Sequence, residues 1–178
     1  IGVRPETTLA KNAGLTIGER GGIFVNEFNQ TSDPDIYAVG DAAQKQDALD
    51  GSQSLVPLAN IANRHGRIVA DHICGKTIRK VSSQVTAIVK VFNLTVATTG
   101  WNEKRLKARG IKYQAIHTHP GSHAGYYPGA EQMALKVLVH RETHMILGAQ
   151  AVGGDGVDKR IDELATAMRC DLPAPELA

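Results

Sequence analysis

The stretch TSDPDIYAVGDAA, residues 31–43, decides how this chain is read. Residues 36–39 form a short apolar run, expected as a strand, that ends in Gly40–Asp41 and passes at once into small residues. A Gly at a strand end lets a ligand approach the backbone, because no Cβ intervenes. Asp41 then offers a carboxylate at the carboxyl end of the strand, where α/β folds bind ligands. A carboxylate there accepts hydrogen bonds from the hydroxyls of a sugar alcohol. The same Asp can instead cap a following helix, and the short pattern leaves both readings open.

The next segment is VPLANIANRHGRIVADHICG, residues 56–75. Leu58, Ile61, Ala62, Ile68, Val69 and Ile73 recur with the period of about 3.6 residues that marks an amphipathic helix. Pro57 suits a first helical position and Gly75 a carboxyl-terminal stop. The first amides of such a helix lack internal partners, and its dipole places roughly half a positive charge there. That end can stabilise negative charge on a bound ring, although an ordinary amphipathic helix shows the same pattern.

Working outward, residues 21–28 read as a second strand, residues 29–35 as a turn and residues 44–54 as a polar loop. The pattern changes after Lys80. VTAIVKVFNLTVATTG, residues 85–100, is rich in Val and Thr and reads as one or two strands. A short helix is expected over 102–109, with Asn102 as cap and Gly110 as stop. Residues 111–119, 133–140 and 145–153 read as strands, the last two joined by an RETH turn into an antiparallel hairpin. A final helix follows Asp155, its expected cap, with Val157, Ile161, Leu164, Ala165 and Met168 on one face. The fold class is therefore α/β at the start and α+β overall, with a mostly antiparallel sheet in the second part. The division falls near residue 80, giving domains 1–80 and 81–178.

The totals bound the function. The chain has 178 residues, 42% hydrophobic and 21% charged, with a net charge of +2. That is ordinary globular composition, and no basic block points to nucleic acid or to a membrane surface. No run reaches the ~18 apolar residues of a spanning helix. Cys74 and Cys170 stand far apart, in no paired motif, and are expected as plain buried or half-buried thiols of a reduced, cytoplasmic protein. The opening IGVRPET and the closing CDLPAPELA read as cut edges of a larger protein.

Taken together, TSDPDIYAVGDAA and PLANIANRHGRIVADHICG resemble the second FAD-binding motif of the pyridine nucleotide-disulfide oxidoreductases. SHAGYYPGAEQMALKVLV and ILGAQAVGGDGVDKRIDELATAM resemble the dimerisation domain of the branch containing coenzyme A-disulfide reductase, NADH oxidase and NADH-dependent persulfide reductase. IGVRPETTLAKNAGL is similar to the chain leaving the NAD domain. The resemblance covers essentially the whole sequence, and IYAVGDAA, YYPGA and GVDKRID are its most specific parts.

The resemblance implies a first domain that is the tail of an FAD/NAD-binding Rossmann-like domain. It places Gly40 and Asp41 against FAD, with Asp41 on the ribityl hydroxyls. It places the backbone N–H groups of Leu58 and Ala59 near the pyrimidine edge of the flavin. It matches Tyr126 to a tyrosine that reaches the partner subunit's active site, close to the redox cysteine and the thiol substrate. In several coenzyme A-disulfide reductases a His contacts substrate at the position of Asn63. This chain departs from that pattern, and His65 lies two residues on.

The implied protein is a homodimer that passes electrons from NAD(P)H through FAD and an upstream cysteine to a disulfide or persulfide such as a coenzyme A derivative. The family's two Gly-x-Gly-x-x-Gly loops and its reactive cysteine have no counterpart in residues 1–178. The second tyrosine of the family's active site would lie beyond Ala178. Neither Cys74 nor Cys170 matches the redox cysteine. The segment alone is therefore expected to be inactive and to bind FAD negligibly. Three alternatives stay open: an oxidase or peroxidase of the same fold, a cysteine-free electron-transfer flavoprotein, and a segment that serves only as a homodimerisation module.

Two other features compete for a function. His117, His119 and His123, with His140 or His144, could suggest metal ligation, and alternation puts His117 and His119 on one face of a strand. No Cys or carboxylate cluster accompanies them, so no metal is expected. GGDGVDK lacks the Gly-Lys-Ser/Thr ending of a phosphate loop and reads as a tight strand-to-helix turn. GYYPG places two adjacent tyrosines beside Pro128 in a chain with only 4% aromatics, and Tyr is favoured at interfaces.

Overall fold

The computed structural model describes residues 3–78 and 82–177. They form two compact units, Ile1–Ser83 and Gln84–Ala178. The expected division near residue 80 falls at residues 79–81, outside the described residues.

The first unit holds helix α1 (Thr8–Asn12), a 3-10 turn (Gly40–Ala42), a small hairpin of β1 (Lys45–Gln46) and β2 (Gln53–Ser54), and helix α2 (Ala59–Ile73). Residues 21–28 and 36–39 do not form the regular strands expected of them. Instead the segment makes isolated bridges: Ile17 with Ile23, Ile23 with Ala43, and Gln30 with Tyr37. The cause is local. Asn26 Oδ1 accepts from the amides of Phe28 (2.9 Å) and Gln30 (3.0 Å), folding the chain back on itself where a ladder would have to run on.

The polar tract 44–54 is also not a solvated loop. It contains the β1–β2 hairpin, and Gln44, Lys45, Asp47 and Ser54 are all buried.

α2 begins at Ala59, two residues after Pro57. Leu58 is the cap, in an extended conformation, and its own N–H goes to the Val56 carbonyl at 2.9 Å, so helical geometry cannot start earlier. Its buried face is Ile61, His65 and Ile68, while Ile73 is exposed. The helix stops where expected. Gly75 has φ +68, its N–H reaches the His72 carbonyl at 2.9 Å, and the Lys76 N–H reaches the Asp71 carbonyl at 3.0 Å. This double bond pattern satisfies the last carbonyls and favours Gly at the left-handed position. Gly110 closes α3 (Glu103–Ala108) in the same way, and Asn102 caps it, accepting from the Arg105 amide at 3.0 Å.

The second unit is a five-stranded antiparallel sheet in the order β3-β4-β7-β6-β5. Its strands are β3 (Thr86–Val91), β4 (Leu94–Gly100), β5 (Tyr113–Thr118), β6 (Ala134–His140) and β7 (Ile146–Gly153). Helix α4 (Val157–Arg169) packs on β4 and β7. The sheet offers it Ala97, Ala149 and Ala151, and α4 answers with Val157, Ile161, Leu164 and Met168. Small residues on the sheet let the helix come close, so large side chains fill the layer from one side.

Trp101, Leu106, Leu138 and Leu147 make a separate cluster. Alternation places it on the opposite face, since Leu138 follows Val137 of the first cluster. A register shift between Leu138 and Val139 leaves Ile146 in one cluster and its neighbour Leu147 in the other.

Two expectations for this unit need correction. Gly156, with φ +88, is the cap of α4 rather than Asp155, which makes no capping bond. Both cysteines are exposed rather than buried. Each is a C-cap, Cys74 of α2 and Cys170 of α4, where the helix ends and its packed face runs out.

Candidate functional site

The Gly40–Ala42 turn packs against α2. Gly40 has φ +77, and no atom lies within 4 Å of where a Cβ would stand. The corner is thus left-handed backbone facing open space, a place where a ligand can touch the main chain. Asp41 beside it is exposed and accepts no side-chain hydrogen bond among the described residues. It caps no helix, so the capping alternative has no support here. At the start of α2 the cap residue Leu58 makes no side-chain capping bond and Asn60 Oδ1 accepts from the Ile61 amide at 2.9 Å, while the amides of Ala59 and Asn60 find no acceptor among the described residues. The Leu58 amide is already given to Val56.

A buried polar network ties these parts together. Asn29 Nδ2 donates to the Ala38 carbonyl at 3.0 Å and lies 3.2 Å from Nδ1 of His65, in the second turn of α2. The Lys45 ammonium donates to the carbonyls of Gly40 and of Ala43, the latter at 2.8 Å. Burial pushes the Lys45 pKa down, and the Asp41 carboxylate opposes that shift. Burial also lowers the His65 pKa, helped by the positive charges of Lys45 and Arg64. The corner therefore rests beside the amino-terminal half of α2. A cleft of about 320 Å³ adjoins the network, lined in part by Phe24, Asn29, Lys45 and His65.

This network sets a pH dependence. Folded His65 resists its proton, whereas the unfolded chain takes one near the ordinary value of about 6.5. Stability is therefore fully present above that pH and declines as pH falls through it. His65→Gln should flatten the fall in melting temperature between about pH 7.5 and 5.5. Equal slopes for wild type and variant would show that His65 is not held neutral.

The remaining sequence-derived residues lie as follows. Asn63 is exposed on α2, whereas His65 turns inward to Asn29, so His65 presents nothing that could replace a substrate-contacting His at Asn63. Tyr126 belongs to the second unit, at the tip of a loop closed at its neck. There Gly121 bridges Gln132, and the Ser122 and Glu131 backbones join at 2.8 Å. Tyr126 is 90% exposed and Tyr127 67%, the latter edge-on to His123 at 6.0 Å. No group of His, Cys, Asp or Glu suited to a metal occurs among the described residues. Among them, too, no helix is long and apolar enough to cross a membrane.

Lys45 and Asn29 were not singled out from the sequence, and His65 was noted only for its distance from Asn63. A Lys between two glutamines gives no sign that it is buried. The one available signal was His65 itself, a polar residue on the apolar stripe of α2.

The profile of the pyridine nucleotide-disulphide oxidoreductase dimerisation domain matches residues 86–178, and that of the pyridine nucleotide-disulphide oxidoreductases matches residues 1–66. The chain belongs to the pyridine nucleotide-disulphide oxidoreductase family. It is 35% identical over 167 residues to the NAD(P)H sulfur oxidoreductase (CoA-dependent) of Pyrococcus furiosus, covering 94% of this chain and 38% of that protein. It is 36% identical over 178 residues to coenzyme A disulfide reductase of Staphylococcus aureus, covering 99% of this chain and 40% of that one. Reduced Bacillus anthracis CoADR-RHD superposes with a TM-score of 0.94 at 50% identity, over 97% of this chain and 31% of that one. The chain thus spans well under half the length of these relatives. The antiparallel sheet of the second unit is the part that the dimerisation-domain profile covers. The pyridine nucleotide-disulphide oxidoreductases use FAD and NAD(P)H.

Proposed function

We propose that this chain is part of an FAD-dependent NAD(P)H reductase acting on a disulfide or persulfide, with coenzyme A derivatives as the leading substrate class. Residues 1–80 would supply the rear wall of the flavin site and residues 81–178 the dimerisation domain of a cytoplasmic homodimer. One observation carries the reading: an open left-handed Gly40 beside an exposed Asp41 that accepts no hydrogen bond among the described residues, packed on a helix whose first two amides find no acceptor among them. These groups suit FAD, whose polyol needs an acceptor and whose ring needs donors at its electron-rich edge.

Bound FAD would supply hydride acceptance from the nicotinamide and electron delivery to sulfur. The chain's own groups would do the holding. Asp41 accepts from the ribityl hydroxyls, Gly40 lets the chain touch the polyol, and the Ala59 and Asn60 amides donate toward the ring. Leu58 frames that edge with its extended backbone, its N–H being committed to Val56. Tyr126 would reach across the dimer to the partner's sulfur centre, where its hydroxyl orients the thiol and shares its proton, and exposed Asn63 would face the substrate. A chain of residues 1–178 alone should neither retain FAD nor turn over. The curated relatives named for coenzyme A disulfide and for CoA-dependent sulfur reduction favour these acceptors over oxygen.

The test is NADH oxidation by the full-length protein with coenzyme A disulfide and coenzyme A persulfide. Turnover with either, carried by bound FAD, is expected, and turnover with oxygen alone would overturn the assignment. Tyr126→Phe should lower kcat with the sulfur substrate by roughly 10–100-fold at unchanged flavin content. An unchanged kcat would remove Tyr126 from the active site.

A further inference from the structure

We propose that Lys45 is a positioning residue for FAD, a buried ammonium that braces both ends of the turn presenting Asp41. The inference rests on the flavin reading of the Gly40–Asp41 corner. Lys45 is 2% exposed. Its ammonium donates to the carbonyl of Gly40, the first residue of the turn, and to that of Ala43, the residue closing it. The turn's own closing bond, from the Ala43 amide to the Gly40 carbonyl, is long at 3.4 Å. The stronger link across it is therefore the charge-assisted one from Lys45.

Burying an ammonium is costly, and an apolar side chain of similar length would fill the same space without that cost. Among the described residues the carboxylate that favours the charge is Asp41, which the turn holds out to solvent. The same ammonium weighs against a proton on His65, which keeps that ring able to accept from Asn29 and so hold the preceding segment to α2. Lys45 thus fixes the corner and joins it electrostatically to the helix. It touches neither the proposed polyol nor a reacting atom, and its effect passes through Asp41.

The experiment uses the full-length flavoprotein, with FAD affinity measured by titrating the apoprotein and following flavin fluorescence. Lys45→Met should raise the FAD Kd roughly 10–100-fold, the usual range for losing charged hydrogen bonds, and Lys45→Arg should recover much of it. In an Asp41→Ala background Lys45→Met should cost little more, because its target is gone. A full additional loss in that background, or no loss from Lys45→Met alone, overturns the inference while leaving the flavin reading standing. If Lys45→Met does not fold, Lys45→Gln takes its place in the same cycle. A wild-type protein that binds no FAD overturns the flavin reading and this inference with it.

Discussion

Gly40→Val in the full-length protein is expected to abolish stable flavin binding, with FAD affinity falling by about 100-fold. Two costs add. Gly40 sits at φ +77, which a β-branched side chain adopts only with strain of about 1–3 kcal/mol. The new side chain would also occupy the open space beside the corner, where no atom now lies within 4 Å of a Cβ position, and so displace the polyol from Asp41. Losing a charge-assisted hydrogen bond costs a further 1.5–3 kcal/mol or so, and the lower end of the two costs together, about 3 kcal/mol, corresponds to that 100-fold. The purified variant should be colourless where wild type is yellow, with both folded by circular dichroism. A yellow variant of normal flavin content would show that nothing approaches this corner.

Gly148→Ala should be the most damaging small substitution in the second unit. A Cβ at Gly148 would stand 2.0 Å from the Trp101 carbonyl oxygen and 2.7 Å from its amide nitrogen. These are backbone atoms, fixed by the Trp101 N–H bond to the Leu147 carbonyl at 2.9 Å, and the Trp101 ring is buried against Leu138 and Leu147. Nothing at this point can swing aside as a flexible side chain would. The sheet must open between β4 and β7, where α4 packs. A loss of about 3 kcal/mol or more is expected, lowering the melting temperature by about 6–12 °C. Gly125→Ala, where nothing lies within 4 Å of the added carbon, serves as the control and should shift stability by no more than about 0.5 kcal/mol. Equal behaviour of the two variants would refute the close approach at Trp101.

These two glycines show which parts of the molecule can be read from its sequence. Gly40 is legible because it follows an apolar run and precedes an acid, a local pattern with a local cause. Gly75 and Gly110 stop their helices for the same kind of reason, and Asn102 caps one. The antiparallel hairpin around RETH is legible because a turn and two apolar runs are contiguous. Gly148 is not legible, because its constraint comes from Trp101, far away in the chain.

Most misreadings have a different origin, in local bonds and backbone choices that residue preferences do not rank. The start of α2 was displaced by a bond from Leu58 to Val56 that no propensity encodes. The run 21–28 was broken by Asn26 turning its side chain onto the backbone, which outweighs the β preference of its neighbours. Asp155 looked like a cap, but Gly156 took that place in a left-handed conformation. Lys45 was hidden because a buried Lys in a polar tract has the composition of a solvated loop.

The proposed function requires FAD to lie between the Gly40–Asp41 corner and the amino end of α2. Amide hydrogen exchange on the full-length protein, compared with and without FAD, tests this most directly. FAD should slow exchange at Asp41, Ala59 and Asn60, the residues proposed to hold the ligand, and leave the far end of α2 around His72 unchanged. Slowing elsewhere in the protein with no change at these three amides would mean that the flavin sits in another place.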